Sequence, residues 1–189
     1  LAFDYPRRAA FFRGELKEFL LLAREQGFSP LVPKGSYAGA MGVPQFMPGS
    51  FRRYAVDFDG DGRIDLWGSG ADVVGSVAHY LARHDWQPGG PTMARAAIAD
   101  EHRDSILRRL DGGISERRPA DAWASDGVEP AGLAEPADEP VGLVMLEESP
   151  TEASYWIAYP NFYVITRYNR SRLYASAVVA LAGAIRAAR

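Results

Sequence analysis

Apolar positions along the chain form three helical stripes, separated by stretches where the period is lost. Phe12, Leu16, Phe19, Leu20 and Ala23 recur at helical spacing and predict a helix over Pro6–Gln26. Pro6 suits a first turn because it has no N–H to lose, and Gly27 suits the residue just past the end. Arg8, Arg13, Glu15 and Glu25 fall on the polar face. Val74, Val77, Ala78 and Leu81 predict a buried helix over Val73–Arg83, with Ser69 and Asp72 as capping groups. Tyr174, Val178, Leu181 and Ile185 predict a helix over Ser171–Ala188, capped by Asn169 or Ser171. A short helix from Pro48 to Tyr54 lies between the first two.

Between these stripes the pattern changes. Lys34–Phe51 is rich in Gly and small residues yet holds Tyr37, Met41, Phe46 and Met47. Small residues let the backbone approach another element or a ligand. Gln45, between Pro44 and Phe46, is expected to be buried and so to need a hydrogen-bond partner. From Pro88 to Pro150, Gly, Pro, Ala and charges dominate; Ile106–Leu110 reads as a short helix and Val141–Glu147 as a strand. Ser154–Arg167 is dense in aromatic and β-branched residues, with a turn at Pro160–Asn161. The expected organisation is mainly α, in an α+β chain. A core segment spans 1–87 with an acidic loop at 57–72, an insert or small subdomain spans 88–150, and 151–189 returns to the core.

Composition narrows the function classes. Hydrophobic residues make up 47% and aromatics 12%, which marks a globular chain. A net charge of -3 argues against a general nucleic-acid binder, which needs a basic face. Cysteine is absent, so disulfides, zinc–thiolate sites and a cysteine nucleophile are excluded. No run approaches the roughly 20 apolar residues of a membrane helix. His79, His84 and His102 show no metal-ligand spacing and read as structural.

The loop after Ala55 carries the clearest chemistry. Asp57, Asp59 and Asp61 alternate, so their carboxylates can converge on one hard cation. Gly62 stands at the sixth position of an EF-hand-like loop, the Arg63 carbonyl at the seventh, and Asp65 at the ninth. The twelfth position, where a bidentate Glu belongs, is Gly68; the next acid is Asp72. This predicts a lengthened loop holding a structural calcium ion, with Asp72 standing in for the missing Glu. Such close carboxylates repel one another without a cation. Magnesium fits less well, since it prefers few protein ligands and strict octahedral geometry.

The strings Gly35–Phe51 and Tyr54–Trp67 resemble the B-type lytic murein transglycosylases. The resemblance extends to Phe3–Arg8, Gly75–Tyr80 and Pro160–Asn169, and so to nearly the whole chain outside 88–150. It implies a lysozyme-like helical core with a calcium loop inside it, in the periplasm. It further implies cleavage of peptidoglycan glycan strands between N-acetylmuramic acid and N-acetylglucosamine, without water, leaving 1,6-anhydromuramoyl ends. By position it implies that Arg7 and Arg8 line the groove near the muropeptide. Ser36, Gln45, Tyr80 and Tyr163 then surround the scissile bond, and Asp57, Asp59, Asp61, Arg63 and Asp72 hold calcium. Asp59 stands where a relative has Ser, and Ile157 where a relative has Tyr, so that sugar contact is not carried over.

Most glycosidases use two carboxylates. The resembled family uses one Glu, first as acid and then as base, helped by the substrate's own acetamido and hydroxyl groups. That Glu belongs to a Glu-Thr-Arg-like motif before Phe3–Arg8, a motif these 189 residues do not contain. Glu15, Glu18 and Glu25 read as solvated helix surface, and Glu147 and Glu148 lie beside the variable region. No catalytic residue is therefore assigned, and a companion N-terminal polypeptide carrying the Glu is expected. Two alternatives are a calcium-stabilised peptidoglycan-binding module without activity and a hydrolase using another carboxylate. Membrane anchoring is not legible in the chain.

Overall fold

Three helices carry the first of two units, Leu1–Arg83: α1 (Ala9–Gln26), α2 (Pro48–Tyr54) and α3 (Gly70–Ala82). The computed structural model describes residues 1–110, 112–131, 139–149 and 152–188. Helix α1 starts later than its periodicity predicts, because residues 2–8 form turns and Arg8 takes the cap position. The Arg8 guanidinium lies 4.6 Å from the Phe11 ring centre. At the other end Gly27, at φ +70°, closes the helix in the left-handed region, as its sequence position predicts.

The α1 stripe is only partly inward. Phe12, Leu22 and Ala23 are buried, whereas Leu16 is 40% and Leu20 52% exposed. The helix is turned so that its acids meet α2. Glu15 accepts the Gly49 N–H at 2.8 Å, and Arg52 reaches both Glu18 and Glu25. The expectation that these three acids are solvated surface is thus corrected: all three hold α2.

Helix α3 begins at Gly70, with Ser69 Oγ accepting the Asp72 N–H. Its predicted face is reversed. Val74 is 68% exposed, while Asp72, Gly75, Ser76 and Tyr80 point inward. The small residues explain this. A Cβ on Gly75 would come within 2.5 Å of the Phe58 ring, and Ser76 Oγ accepts the Val56 N–H at 2.9 Å. The loop therefore packs directly onto α3.

The second unit, His84–Arg189, is built on an antiparallel sheet. Its strands are β1 (Met93–Ile98), β2 (Val128–Pro130), β3 (Gly142–Glu147) and β4 (Ala153–Ala158), in the order β2-β1-β4-β3. Successive residues face opposite sides. Leu143 and Ile157 join Ile98, Ile106, Trp123 and Val141 on one side. Val144 and Ala158 join Phe162, Ile165 and Ala175 on the other. Short helices α4 (Arg103–Leu107) and α5 (Ala120–Ser125) supply Ile106 and Trp123; α6 (Pro160–Tyr168) and α7 (Arg172–Ala187) supply the opposite layer.

This sheet draws on two of the segments distinguished in the sequence. Strand β4 lies between β1 and β3, so residues assigned to an insert share one sheet with residues assigned to the returning core. Ala-rich β1 carries no strand signal of its own and is defined by pairing with β4. The expected boundary at 150–151 lies outside the described residues. The stripe of α7 also faces outward: Leu181 is 62% and Ile185 52% exposed, and Ala175 and Ser176 are the buried positions.

Candidate functional site

In the first unit the small-residue segment folds into a double bridge. Gly35 pairs with Met41, and Met41 pairs with Phe46. Ser36 holds its tip together: its N–H is given to the Ala40 carbonyl at 2.8 Å, and its Oγ accepts the Ala40 N–H at 3.1 Å. Gly42, at φ +66°, presses on Leu66, where a Cβ would meet the carbonyl oxygen at 2.7 Å. Gln45 is exposed, not buried, and its backbone is left-handed at φ +55°, a strained position for a residue with a side chain. Its side-chain amide donates to the Gly42 carbonyl at 2.9 Å.

Beside this segment lies a cavity of about 350 Å³. Phe12 and Phe19 of α1 form part of its wall, with Met41 from the double bridge and Met47 at the cap of α2. Ser36, Tyr37 and Glu15 supply polar groups. Gln45 and Tyr80 are outside this lining. Tyr80 is a core residue, 8% exposed, its ring 4.9 Å from Tyr54 and 5.7 Å from Phe46. Arg7 and Arg8 are exposed at the start of α1. Sequence reasoning missed Glu15 as a cavity residue. The signal was its phase, seven positions before buried Leu22 and hence on the same side of α1.

The acidic loop brings three carboxylates together. Oxygens of Asp57, Asp59 and Asp72 lie within 4.8 Å of one another. Asp61 is not one of that trio; its carboxylate accepts the Arg63 N–H at 2.8 Å. Asp57 accepts from Gly60 at 2.7 Å and Gly62 at 2.8 Å, which coils the loop around it. Asp72 is buried and ties the loop to α3, accepting the Phe58 N–H at 2.7 Å and the Asp65 N–H at 2.8 Å. Those donors, Asp65 first and Phe58 next, hold its carboxyl below the usual carboxylate range against the opposing effect of burial. Asp65, considered as a ligand, instead accepts from Trp67 and Gly68, both at 2.9 Å. Ser69, expected from sequence only as a helix cap, also donates to Asp59 at 2.7 Å. A trio of hard oxygens with one ionised, buried member fits a calcium ion by its chemistry.

Tyr163 lies in the second unit. Its hydroxyl is buried against Gly142, without a hydrogen-bond partner among the described residues. Burial pushes it up to about 12, while the nearby Arg117 guanidinium acts in the opposite sense. The hydroxyl expected near substrate is thus an inward-facing group in this unit. Its ring lines a separate cavity of about 330 Å³ with Arg117, Glu139 and Arg167.

Comparison with known proteins gives this geometry a family. The transglycosylase SLT domain matches residues 1–183. The chain belongs to that family. It is 43% identical over 195 residues to membrane-bound lytic murein transglycosylase B of Escherichia coli K12, covering 100% of this chain and 50% of that protein. The crystal structure of soluble lytic transglycosylase SltB1 from Pseudomonas aeruginosa superposes with a TM-score of 0.86 at 48% identity, over 100% of this chain and 61% of that one. That of E. coli lytic transglycosylase Slt35 in complex with calcium gives 0.86 at 42% identity, over 100% and 57%. The expected lysozyme-like α+β fold is borne out. The chain spans about half the length of its curated family relative.

Proposed function

We propose that this chain forms the glycan-binding, calcium-stabilised part of a lytic transglycosylase acting on peptidoglycan strands in the periplasm. The observation that carries the reading is the family match over 1–183, which takes in both the Ser36 cavity and the acidic loop. Ser36, Gln45, Arg7 and Arg8 are the proposed glycan contacts. Tyr80 is a further proposed contact in the same unit, and Tyr163 is one in the second unit. Asp57, Asp59 and Asp72 are the central calcium ligands, joined by Asp61 and the Arg63 carbonyl once an ion draws the loop in. Calcium bound to the related Slt35 supports this. The ion's role is structural, since the loop joins the double bridge to α3 through Val43 N–H to Leu66 carbonyl (2.8 Å) and through Asp72.

The proton donor for the reaction is a Glu on polypeptide beyond these 189 residues. It protonates the glycosidic oxygen. The bond from that oxygen to the muramoyl C1 breaks, the leaving sugar keeps the proton, and the C6 hydroxyl closes on C1 and gives its own proton to the carboxylate. Two observations support a donor outside the chain: the Glu-Thr-Arg-like motif is absent from it, and the relatives are longer. No helix among the described residues is long and apolar enough to cross a membrane.

Digestion of purified sacculi tests the reading. A longer polypeptide that includes the Glu motif should release 1,6-anhydromuropeptides, while the 189-residue chain binds sacculi without release. Anhydro products from the chain alone would refute the outside donor, and reducing-end muramic acid would show a hydrolase instead.

A further inference from the structure

Three acids of α1 face α2, and they are not equivalent. Glu18 and Glu25 are both neutralised by Arg52. Glu15 makes no ion pair among the described residues, although Arg53 Nη2 lies 3.5 Å from where a Gly49 Cβ would sit; its one hydrogen bond is from the Gly49 N–H to Oε2, at 2.8 Å. Both of its oxygens sit close to Gly49, within 3.2 and 3.3 Å of where a Cβ would lie. The carboxylate is thus fixed in place, and Oε1 is without a partner among the described residues.

Glu15 is also the one carboxylate in the lining of the Ser36 cavity, whose other walls are largely Phe12, Phe19, Met41 and Met47. An ionised carboxylate has room for several donors, and apolar walls offer none. Neither Ser36 nor Tyr37, the hydroxyls of the lining, bonds to Glu15, so a ligand that fills this cavity can supply a donor of its own. Glycan hydroxyls and acetamido N–H groups are neutral donors of that kind, and the apolar walls suit the faces of pyranose rings.

We propose that Glu15 is a substrate-contacting residue, accepting a glycan hydroxyl or acetamido N–H at Oε1 while Oε2 holds the first turn of α2. This rests on reading the cavity as the glycan site. It assigns Glu15 to binding, not to proton transfer.

The test is an NMR titration of the full chain with a GlcNAc–MurNAc tetrasaccharide, with thermal melts alongside. In the wild-type chain the Glu15 carboxyl carbon resonance should shift on binding. Glu15→Gln keeps an acceptor for Gly49, so it should melt close to wild type yet bind roughly tenfold more weakly. Glu15→Ala should lose both binding and melting temperature. If Ser36→Ala weakens binding while Glu15→Gln does not, or the Glu15 resonance stays unmoved, the Glu15 assignment fails alone. If the wild-type chain binds neither the tetrasaccharide nor sacculi, the reading of the cavity fails with it.

Discussion

Asn161 is fully buried at the start of α6, and its amide is entirely engaged by one loop. It accepts the Gln87 N–H at 2.8 Å and donates to the carbonyls of Gln87 at 2.8 Å and Gly90 at 3.0 Å. The Pro160–Asn161 pair, legible in sequence as a turn, is thus also the anchor for residues 87–90. Asn161→Ala leaves three partly buried backbone groups unmatched and should cost about 1–3 kcal/mol in urea unfolding. Tyr163 should behave in the opposite way. Its hydroxyl is buried without a partner among the described residues, so Tyr163→Phe should be neutral or up to about 1 kcal/mol more stable. Its pKa is raised to about 12 in the folded protein, so stability should fall as pH rises from the unfolded value of about 10 through 12. Tyr163→Phe should remove that alkaline loss, measured by denaturant midpoints across the range.

At the scale of elements, helix existence was legible and helix rotation was not. Pro48–Tyr54 appears at its predicted bounds, and Ser69, Ser171 and Gly27 cap the helices that periodicity marked out. The faces differ because polar contacts set the rotation: Glu15, Glu18 and Glu25 turn α1 toward α2, and Gly75 and Ser76 turn α3 toward the loop. The loop is the element with the sharpest prediction. EDTA should lower the melting temperature by roughly 5 °C or more, and added calcium should restore it. Asp57→Ala should abolish that dependence; an EDTA-independent melt would refute the calcium proposal. In the second unit, Arg118 holds Asp126 at 2.5 Å, with Arg109 at 3.8 Å. The Arg118 hydrogen bond keeps the Asp126 carboxyl below its ordinary value. Its stabilisation is therefore present above the unfolded value of about 4 and lost as pH falls through the lower folded value. Asp126→Asn should flatten the acid limb of unfolding below about pH 4.

At the scale of the molecule, each unit carries its own hydrophobic core. The second unit has core residues on both faces of its sheet and a buried Trp123 whose indole N–H is given to the Val141 carbonyl at 2.9 Å. Residues 84–189 expressed alone should therefore retain the sheet, visible as dispersed amide resonances. A collapsed spectrum would mean that this core depends on the rest of the chain. The chain belongs to the transglycosylase SLT domain family, and the sacculus assay above decides whether cleavage needs polypeptide beyond it.

Local chemistry was determined by the sequence alone. Alternating Asp57, Asp59 and Asp61 with Gly62, the small-residue string from Gly35 to Gly49, and the helix caps all act over a few residues, so their spacing shows them. The tertiary structure decided what depends on contacts between distant residues. It made Asp72 the buried link between loop and helix, and it paired Ala-rich β1 with β4. It exposed Gln45, buried the Tyr163 hydroxyl, and brought Glu15 to the wall of the cavity. Burial and pairing are set by the partner an element finds, and a linear pattern does not name that partner.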